Sequence, residues 1–166
     1  MIKLEQDYQK TYEERNIGRV NLAEIKAKKY YEQKGLYVAR FGFDEKNENV
    51  PTKYFRIIPT EVRNMPEYVV IGKECWLLEV KGCRDLLRVK LDDIEGYKFW
   101  DKVCKLAIFV YSFQYNCCYI VTYKRLKELL ECEGMSKKER YHDNNKEYYA
   151  ISVKELSLIG HYEEYN

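Results

Sequence analysis

Apolar positions fall into a few dense runs separated by polar stretches, and the first with a helical period begins at Asn21. Asn21 is placed to cap that helix, Glu24 stands at its third position as in a capping box, and Val20 and Ile25 hold the hydrophobic-staple positions. Ala23, Ala27, Tyr30 and Tyr31 form the apolar stripe, and Gly35 is the expected left-handed residue past its end. Residues 1–16 are charged and tyrosine-rich without a clear period. Leu36–Gly42 reads as a strand, residues 44–53 as a polar loop, and Tyr54–Ile58 as a short strand.

The densest apolar segment runs from Met65 to Gly82, where two runs flank Gly72-Lys73 and signal a hairpin. Tyr68, Val70, Trp76 and Leu78 share one face; Val69, Ile71, Cys75 and Leu77 share the other. Strands apolar on both faces belong at the centre of a covered sheet. A helix opened by Asp92 or Asp93 follows, carrying Ile94, Tyr97, Phe99, Trp100 and Val103. Residues 106–123 contain no charge and are interrupted at Gln114-Tyr115-Asn116. Their β-branched and aromatic content predicts two buried strands and a turn rather than a membrane span. A helix over Lys124–Glu133, stopped at Gly134, a polar loop at 135–147 and a last strand at Tyr148–Val153 complete the pattern. The class is α/β: a mixed β-sheet core flanked by helices, in a single domain over 1–166 with its core at about 20–130.

Composition narrows the partners. With 46% apolar residues and 17 tyrosines the chain can fill a core, which excludes a disordered protein. The net charge of only +2 announces no polyanion, so a basic patch must be made by folding. The first eight residues lack an apolar core, so no secretory signal is expected, and the chain reads as intracellular and soluble. The six cysteines form no C-x-x-C pair and fall mostly in apolar runs, the pattern of reduced, structural thiols rather than a zinc site.

Candidate chemistry lies at the end of the central hairpin, where Glu79 and Lys81 interrupt an apolar strand and point to one face. Either charge buried alone is costly, so each needs the other, a metal or water. Glu67 opens the partner strand. A two-residue turn pairs position 67 with 78 and sends Glu67 to the wrong face; a three-residue turn at Gly72-Lys73-Glu74 pairs it with 79. The second register is expected, because it gathers Glu67, Glu79 and Lys81 at one spot. Two carboxylates and a lysine suit a hard cation such as Mg2+, with the Val80 carbonyl as a further ligand and Lys81 orienting a water against a phosphate.

Pro66-Glu67, eleven intervening residues and Glu79-Val80-Lys81 resemble the signature of the PD-(D/E)XK nuclease superfamily, the restriction-endonuclease-like fold. The order of elements agrees over roughly 20–130, and the size and layout are similar to Holliday-junction resolvases and small phage-type nucleases. The superfamily usually has Asp where this chain has Glu67, one methylene longer. The resemblance implies a Mg2+-dependent endonuclease (Mn2+ as substitute) acting on DNA, probing structure such as junctions or branches rather than sequence, and a homodimer if both strands are cut. It implies that Glu67, Glu79 and Lys81 are catalytic, that Glu67, Glu79, Val80 and Glu24 hold the metal, and that no small-molecule cofactor or membrane is involved.

Each reading has a plainer competitor. Glu24 is also the capping-box residue, and Tyr97 and Lys98, where superfamily members often carry an auxiliary polar group, also suit packing and solvent. Arg84, Arg88, Lys90 and Lys98 are candidates for DNA contact, with Lys102 and Lys105, but five acidic residues interleave with them. Lys124, Arg125, Lys127 and the run Lys137-Lys138-Glu139-Arg140 are a second candidate track. A catalytically inactive nuclease-fold protein that binds nucleic acid, and an interaction protein without nucleic-acid role, are the alternatives.

Overall fold

The computed structural model describes residues 22–42, 54, 57–142 and 145–164. Helix α1 (Leu22–Gln33) is followed by strand β1 (Tyr37–Arg40), a one-turn helix α2 (Thr60–Arg63), and the hairpin β2 (Tyr68–Ile71) and β3 (Cys75–Cys83). Next come β4 (Leu86–Lys90), helix α3 (Leu91–Val103), and the hairpin β5 (Leu106–Ser112) and β6 (Cys117–Thr122). Helix α4 (Tyr123–Glu131), β7 (Lys137–Arg140), β8 (Glu147–Ser152), α5 (Val153–Ile159) and β9 (His161–Glu164) close the chain. Asn21 and Val20 lie outside the described residues, so the expected cap and staple do too, as do residues 1–16.

The strands form a six-stranded mixed sheet, β1-β2-β3-β5-β6-β9, and a three-stranded sheet, β4-β8-β7. Among the described residues of the large sheet only β3 and β5 run parallel, with Leu77 beside Leu106 and Cys83 beside Ser112. All seven residues of β5 are buried, as a strand covered on both faces requires. Its two faces feed two cores. Ala23, Ala27, Tyr30 and Tyr31 of α1 pack with Val70, Leu78, Val80 and Phe109 on one side. On the other, Leu77, Leu106, Ile108 and Val110 meet Tyr97 of α3, Leu126 of α4 and Leu156 of α5. Gly35 takes φ +74 after α1, the backbone conformation its position called for. Among the described residues no helix is long and apolar enough to cross a membrane.

Several elements differ from expectation. Tyr54–Ile58 is not a strand: Tyr54 is helical and its carbonyl accepts from Ile57 N–H at 2.9 Å, while both side chains are exposed and have no face to bury; residues 55 and 56 lie outside the described set. The expected loop at 135–147 contains β7, four exposed residues that pair with β8, to which Lys138, Glu139 and Arg140 also bond through their side chains. The strand at 147–152 is not the last, since α5 and β9 follow it, and β4 arises where only surface charge was expected. Helix α3 begins at Leu91, with Lys90 in extended conformation before it, so Asp92 and Asp93 lie inside its first turn instead of capping it.

Candidate active site

The pairing of β2 with β3 sets Tyr68 opposite Leu78 and Ile71 opposite Cys75, with Gly72-Lys73-Glu74 between them. One residue further, this register brings Glu67 opposite Glu79, as the three-residue turn predicts. Both project to the face covered by α3, with Lys81 two residues along. The main chain at Glu67 is fixed from the other side: its carbonyl accepts from Phe41 N–H at 2.9 Å and from Gly42 N–H at 3.1 Å. A side chain at Gly42 would put its Cβ 2.7 Å from the Pro66 carbonyl oxygen, so only glycine permits this approach.

The ionisable groups form one cluster. Lys81 Nζ lies 2.7 Å from Glu79 Oε1 and 3.2 Å from Asp93 Oδ2. The Tyr97 hydroxyl donates to Glu79 Oε1 at 2.9 Å, and Val80 N–H donates to Glu67 Oε2 at 2.7 Å. Glu79 is 6% exposed and Tyr97 2%. Burial, then the charge of Glu79 beside it, pushes the Glu67 carboxyl well above its ordinary range, against the pull of Lys81 and of Val80 N–H. Burial works to lower the Lys81 ammonium, but Glu79, Tyr97, Asp93 and Glu67 outweigh it and hold the group charged. Burial and the Glu79 charge keep Tyr97 a neutral donor.

The donors suit a hard cation. A buried and a half-buried carboxyl side by side, one of them pushed toward protonation by desolvation and then by the other's charge, are what a divalent ion relieves. The backbone adds a third oxygen. In the β2–β3 pairing, Gly72 N–H donates to the Glu74 carbonyl, so even-numbered residues of β3 turn their N–H and carbonyl toward β2. Val80 therefore faces position 66, and Pro66 has no N–H to offer its carbonyl. The proline of the motif thus leaves a carbonyl oxygen beside the carboxylates. No group of three His, Cys, Asp or Glu side chains among the described residues forms a metal-binding set alone; this donor set is two carboxylates and a carbonyl.

Not every expected residue joins the cluster. Glu24 lies on α1, toward the other core, where it accepts from the Tyr68 hydroxyl at 2.8 Å and from Arg40 at 3.1 Å. Its partner Arg40 links it toward the centre, since that guanidinium also feels Glu67. Tyr97, read both as an auxiliary polar residue and as a packing one, does both: it packs on Tyr123 and its hydroxyl holds Glu79. Asp93 was missed: read as a cap, it binds Lys81 from the first turn of α3, four residues before Tyr97 on the same helix face. That i, i+4 spacing of an acid and a tyrosine was the available signal.

The basic candidates divide. Arg88 and Lys90 project from one face of β4, in register with Ala150 and Tyr148 of β8 and so with Lys137 and Glu139 of β7. Arg88 lies over the Tyr148 ring, 5.6 Å from its centroid. Arg84 stands in the turn between β3 and β4, and Lys98 pairs on the surface of α3 with Glu95 at 3.9 Å. Lys90 immediately precedes α3, so the outward face of the small sheet adjoins the helix end that carries Asp93.

The fold has a solved counterpart. Hjc, a Holliday junction resolvase from the archaeal hyperthermophile Archaeoglobus fulgidus, matches over 84% of this chain and 87% of its own, with a TM-score of 0.51 at 12% identity. A nuclease from a fusselovirus matches over 90% of this chain and 92% of its own, with a TM-score of 0.46 at 11% identity. No family model matches the chain, and no curated protein sequence does.

Proposed function

From a restriction-endonuclease-like nuclease fold, with paired glutamates and a lysine at the end of its central hairpin, we propose that the protein is a metal-dependent nuclease hydrolysing DNA phosphodiester bonds. The observation that carries this reading is the convergence of Glu67, Glu79 and Lys81 in one cluster at Val80, whose N–H holds Glu67. Glu67, Glu79 and that carbonyl would hold Mg2+ or Mn2+, which when bound polarises the phosphate and lowers the pKa of a water.

The chain's own residues supply the rest. Lys81 has three N–H donors; Glu79 and Asp93 engage it from one side, and a remaining donor orients the attacking water or a phosphate oxygen. Its positive charge offsets that developing on the phosphate in the transition state. Tyr97 and Val80 N–H fix the two carboxyls, so the ligands are positioned before substrate arrives. Glu24 steadies the start of β2 through Tyr68 and Arg40. Arg88 and Lys90 meet the DNA backbone, and contacts to the backbone favour recognition of DNA shape, such as a junction or branch. A homodimer would place two centres for cutting both strands.

The test is a panel of labelled four-way-junction, flap, single-stranded and linear DNA with Mg2+ or Mn2+, using Lys81→Ala and Glu79→Ala as controls. Metal-dependent cleavage lost in both variants supports the assignment, and the preferred member of the panel names the substrate. Salt-sensitive binding without cleavage under either metal replaces it with a non-catalytic DNA-binding role. Neither binding nor cleavage overturns both.

A further inference from the structure

Three of the six cysteines depart from the buried, inert role that the sequence suggested. Cys75 and Cys132 are exposed and Cys104 is half-buried, whereas Cys83, Cys117 and Cys118 are buried. Cys75 and Cys104 are also neighbours. The parallel pairing of β3 with β5 sets Leu77 beside Leu106, and Leu77 N–H donates to the Lys105 carbonyl at 2.9 Å. Two residues earlier the same register brings Cys75 beside Cys104. Residues opposed in parallel strands project to the same face, and the Cys104 thiol donates to the Cys75 carbonyl at 3.4 Å. Strands so paired lie about 4.8 Å apart, inside the roughly 4.4–6.8 Å Cα separation that a disulfide spans.

We propose that Cys75 and Cys104 are a disulfide-forming pair that staples the site-bearing segment of the chain. The oxidant is a small-molecule disulfide of the glutathione type. Cys75, the more exposed thiol, loses its proton and attacks one sulfur, releasing one thiol and leaving a mixed disulfide on Cys75. Cys104 then loses its proton and displaces the second small thiol, closing the Cys75–Cys104 bond. Two protein thiols are oxidised, one small disulfide is reduced to two thiols, and the two protons pass to the leaving groups. Partial burial, and then contact with Cys75, raise the Cys104 thiol, which suits it to resolve the mixed disulfide rather than to attack first.

The placement gives the bond a consequence. Between the two cysteines lie Glu79, Val80, Lys81, Asp93 and Tyr97, so one covalent link closes the loop that holds every cluster residue except Glu67. The loop also contains α3, whose placement against β3 sets the distance from Lys81 to Asp93. Closing a loop of about 30 residues removes enough freedom from the unfolded chain to raise Tm by roughly 10 °C in a protein of this size. The bond forms and is detected whether or not the protein cuts DNA.

The full-length protein is equilibrated in buffers from fully reduced to fully oxidised glutathione, remaining thiols are alkylated, and peptides are mapped without reduction. The expected product under oxidising buffer is a peptide pair joined through Cys75 and Cys104, with Cys83, Cys117 and Cys118 still free in the native protein. Its Tm exceeds that of the reduced form by roughly 10 °C, a difference absent from Cys75→Ser and Cys104→Ser and kept in Cys132→Ser. Complete alkylation of Cys75 and Cys104 after oxidation overturns the proposal, as does a Cys75 link to any other partner. Mapping needs only the wild-type chain, so a variant that fails to fold does not cloud the result.

Discussion

Replacing Lys81 by methionine keeps the unbranched stem of the side chain, one atom shorter, and removes its charge, and the structure sets what that costs. Lys81 Nζ lies 2.7 Å from Glu79 Oε1 and 3.2 Å from Asp93 Oδ2, and Glu67 adjoins Glu79. Three carboxyl groups then face one another without a cation. Breaking a buried pair by deleting one partner costs about 3–5 kcal/mol. The Lys81 side chain keeps 26% of its exposure and the Glu79 side chain 7%, so water screens part of the loss and about 3 kcal/mol is the working figure. For a chain of this length that lowers Tm by roughly 6–12 °C. Thermal unfolding followed by circular dichroism at pH 7.5 in EDTA reads the shift. Millimolar Mg2+ recovers part of it in Lys81→Met, because an ion that binds the folded carboxylates stabilises that state. The double variant Glu79→Gln/Lys81→Met is less destabilised than the sum of the single changes, since each removes the other's unpaired charge. A Tm within 2 °C of wild type, or a loss in Lys81→Met that Mg2+ leaves untouched, would refute the coupling; the 2 °C margin is about the shift expected from 1 kcal/mol.

Other consequences follow from single contacts. Tyr97→Phe deletes the hydroxyl that donates to Glu79 at 2.9 Å and lowers stability by about 2 kcal/mol in urea unfolding; an unchanged midpoint contradicts that bond. Pro66→Ala supplies an N–H opposite the Val80 carbonyl, so Mn2+ affinity measured by calorimetry weakens while the fold is kept, and unaltered affinity removes that carbonyl from the ligand set. Gly42→Ala meets the Pro66 carbonyl oxygen at 2.7 Å. It costs about 1–3 kcal/mol and shifts Glu67, so metal affinity falls together with stability. Burial, with the nearby Asp85 carboxylate, pushes the Cys83 thiol up to about 12. Below the ordinary thiol value of about 8.5 both states are protonated and its contribution is complete. Above it the unfolded chain ionises first, so the contribution declines as pH climbs toward 12. The stability gap between wild type and Cys83→Ala therefore narrows across that alkaline window, and a pH-independent gap contradicts the assignment.

The central hairpin was legible because two constraints met there. A strand apolar on both faces must be covered on both, and the charged pair at its end fixed which turn length could gather the glutamates. Glu67 opposite Glu79 follows from that reasoning, and so do the helix ending at Gly35 and the uncharged hairpin of β5 and β6. What escaped was held by partners far away in sequence. Strand β7 is Lys-Lys-Glu-Arg, with no apolar residue to give a period, and it is ordered by the edge of β8. Strand β4 alternates Leu87 and Val89 against Arg88 and Lys90, but its charges drew attention to surface and phosphate instead. Helix α5 carried a readable signal in Ser152, whose side chain accepts from Lys154 N–H, followed by Val153 and Leu156 on one face.

The site was half legible for a related reason. Glu67, Glu79 and Lys81 sit on two strands whose alternation is simple, so their faces could be counted. Asp93 and Tyr97 enter from a helix whose rotation over the sheet no local pattern sets, and Asp93 also satisfied the rules for a cap. Glu24 shows the converse: its place near a helix start suited both a cap and a ligand, and the packing of α1 on the Tyr68 side of the sheet turned it toward Arg40.

Single-turnover cleavage of a labelled four-way junction by the wild type and by Glu79→Gln, each with Mg2+ and with EDTA, tests the central claim most directly. Glu79→Gln retains the size of the side chain and removes only its charge. Cutting by the wild type in Mg2+, none in EDTA, and a rate at least about 100-fold lower in Glu79→Gln is the expected result. Equal cutting by both proteins, or cutting that persists in EDTA, would contradict a metal-dependent centre built on these carboxylates.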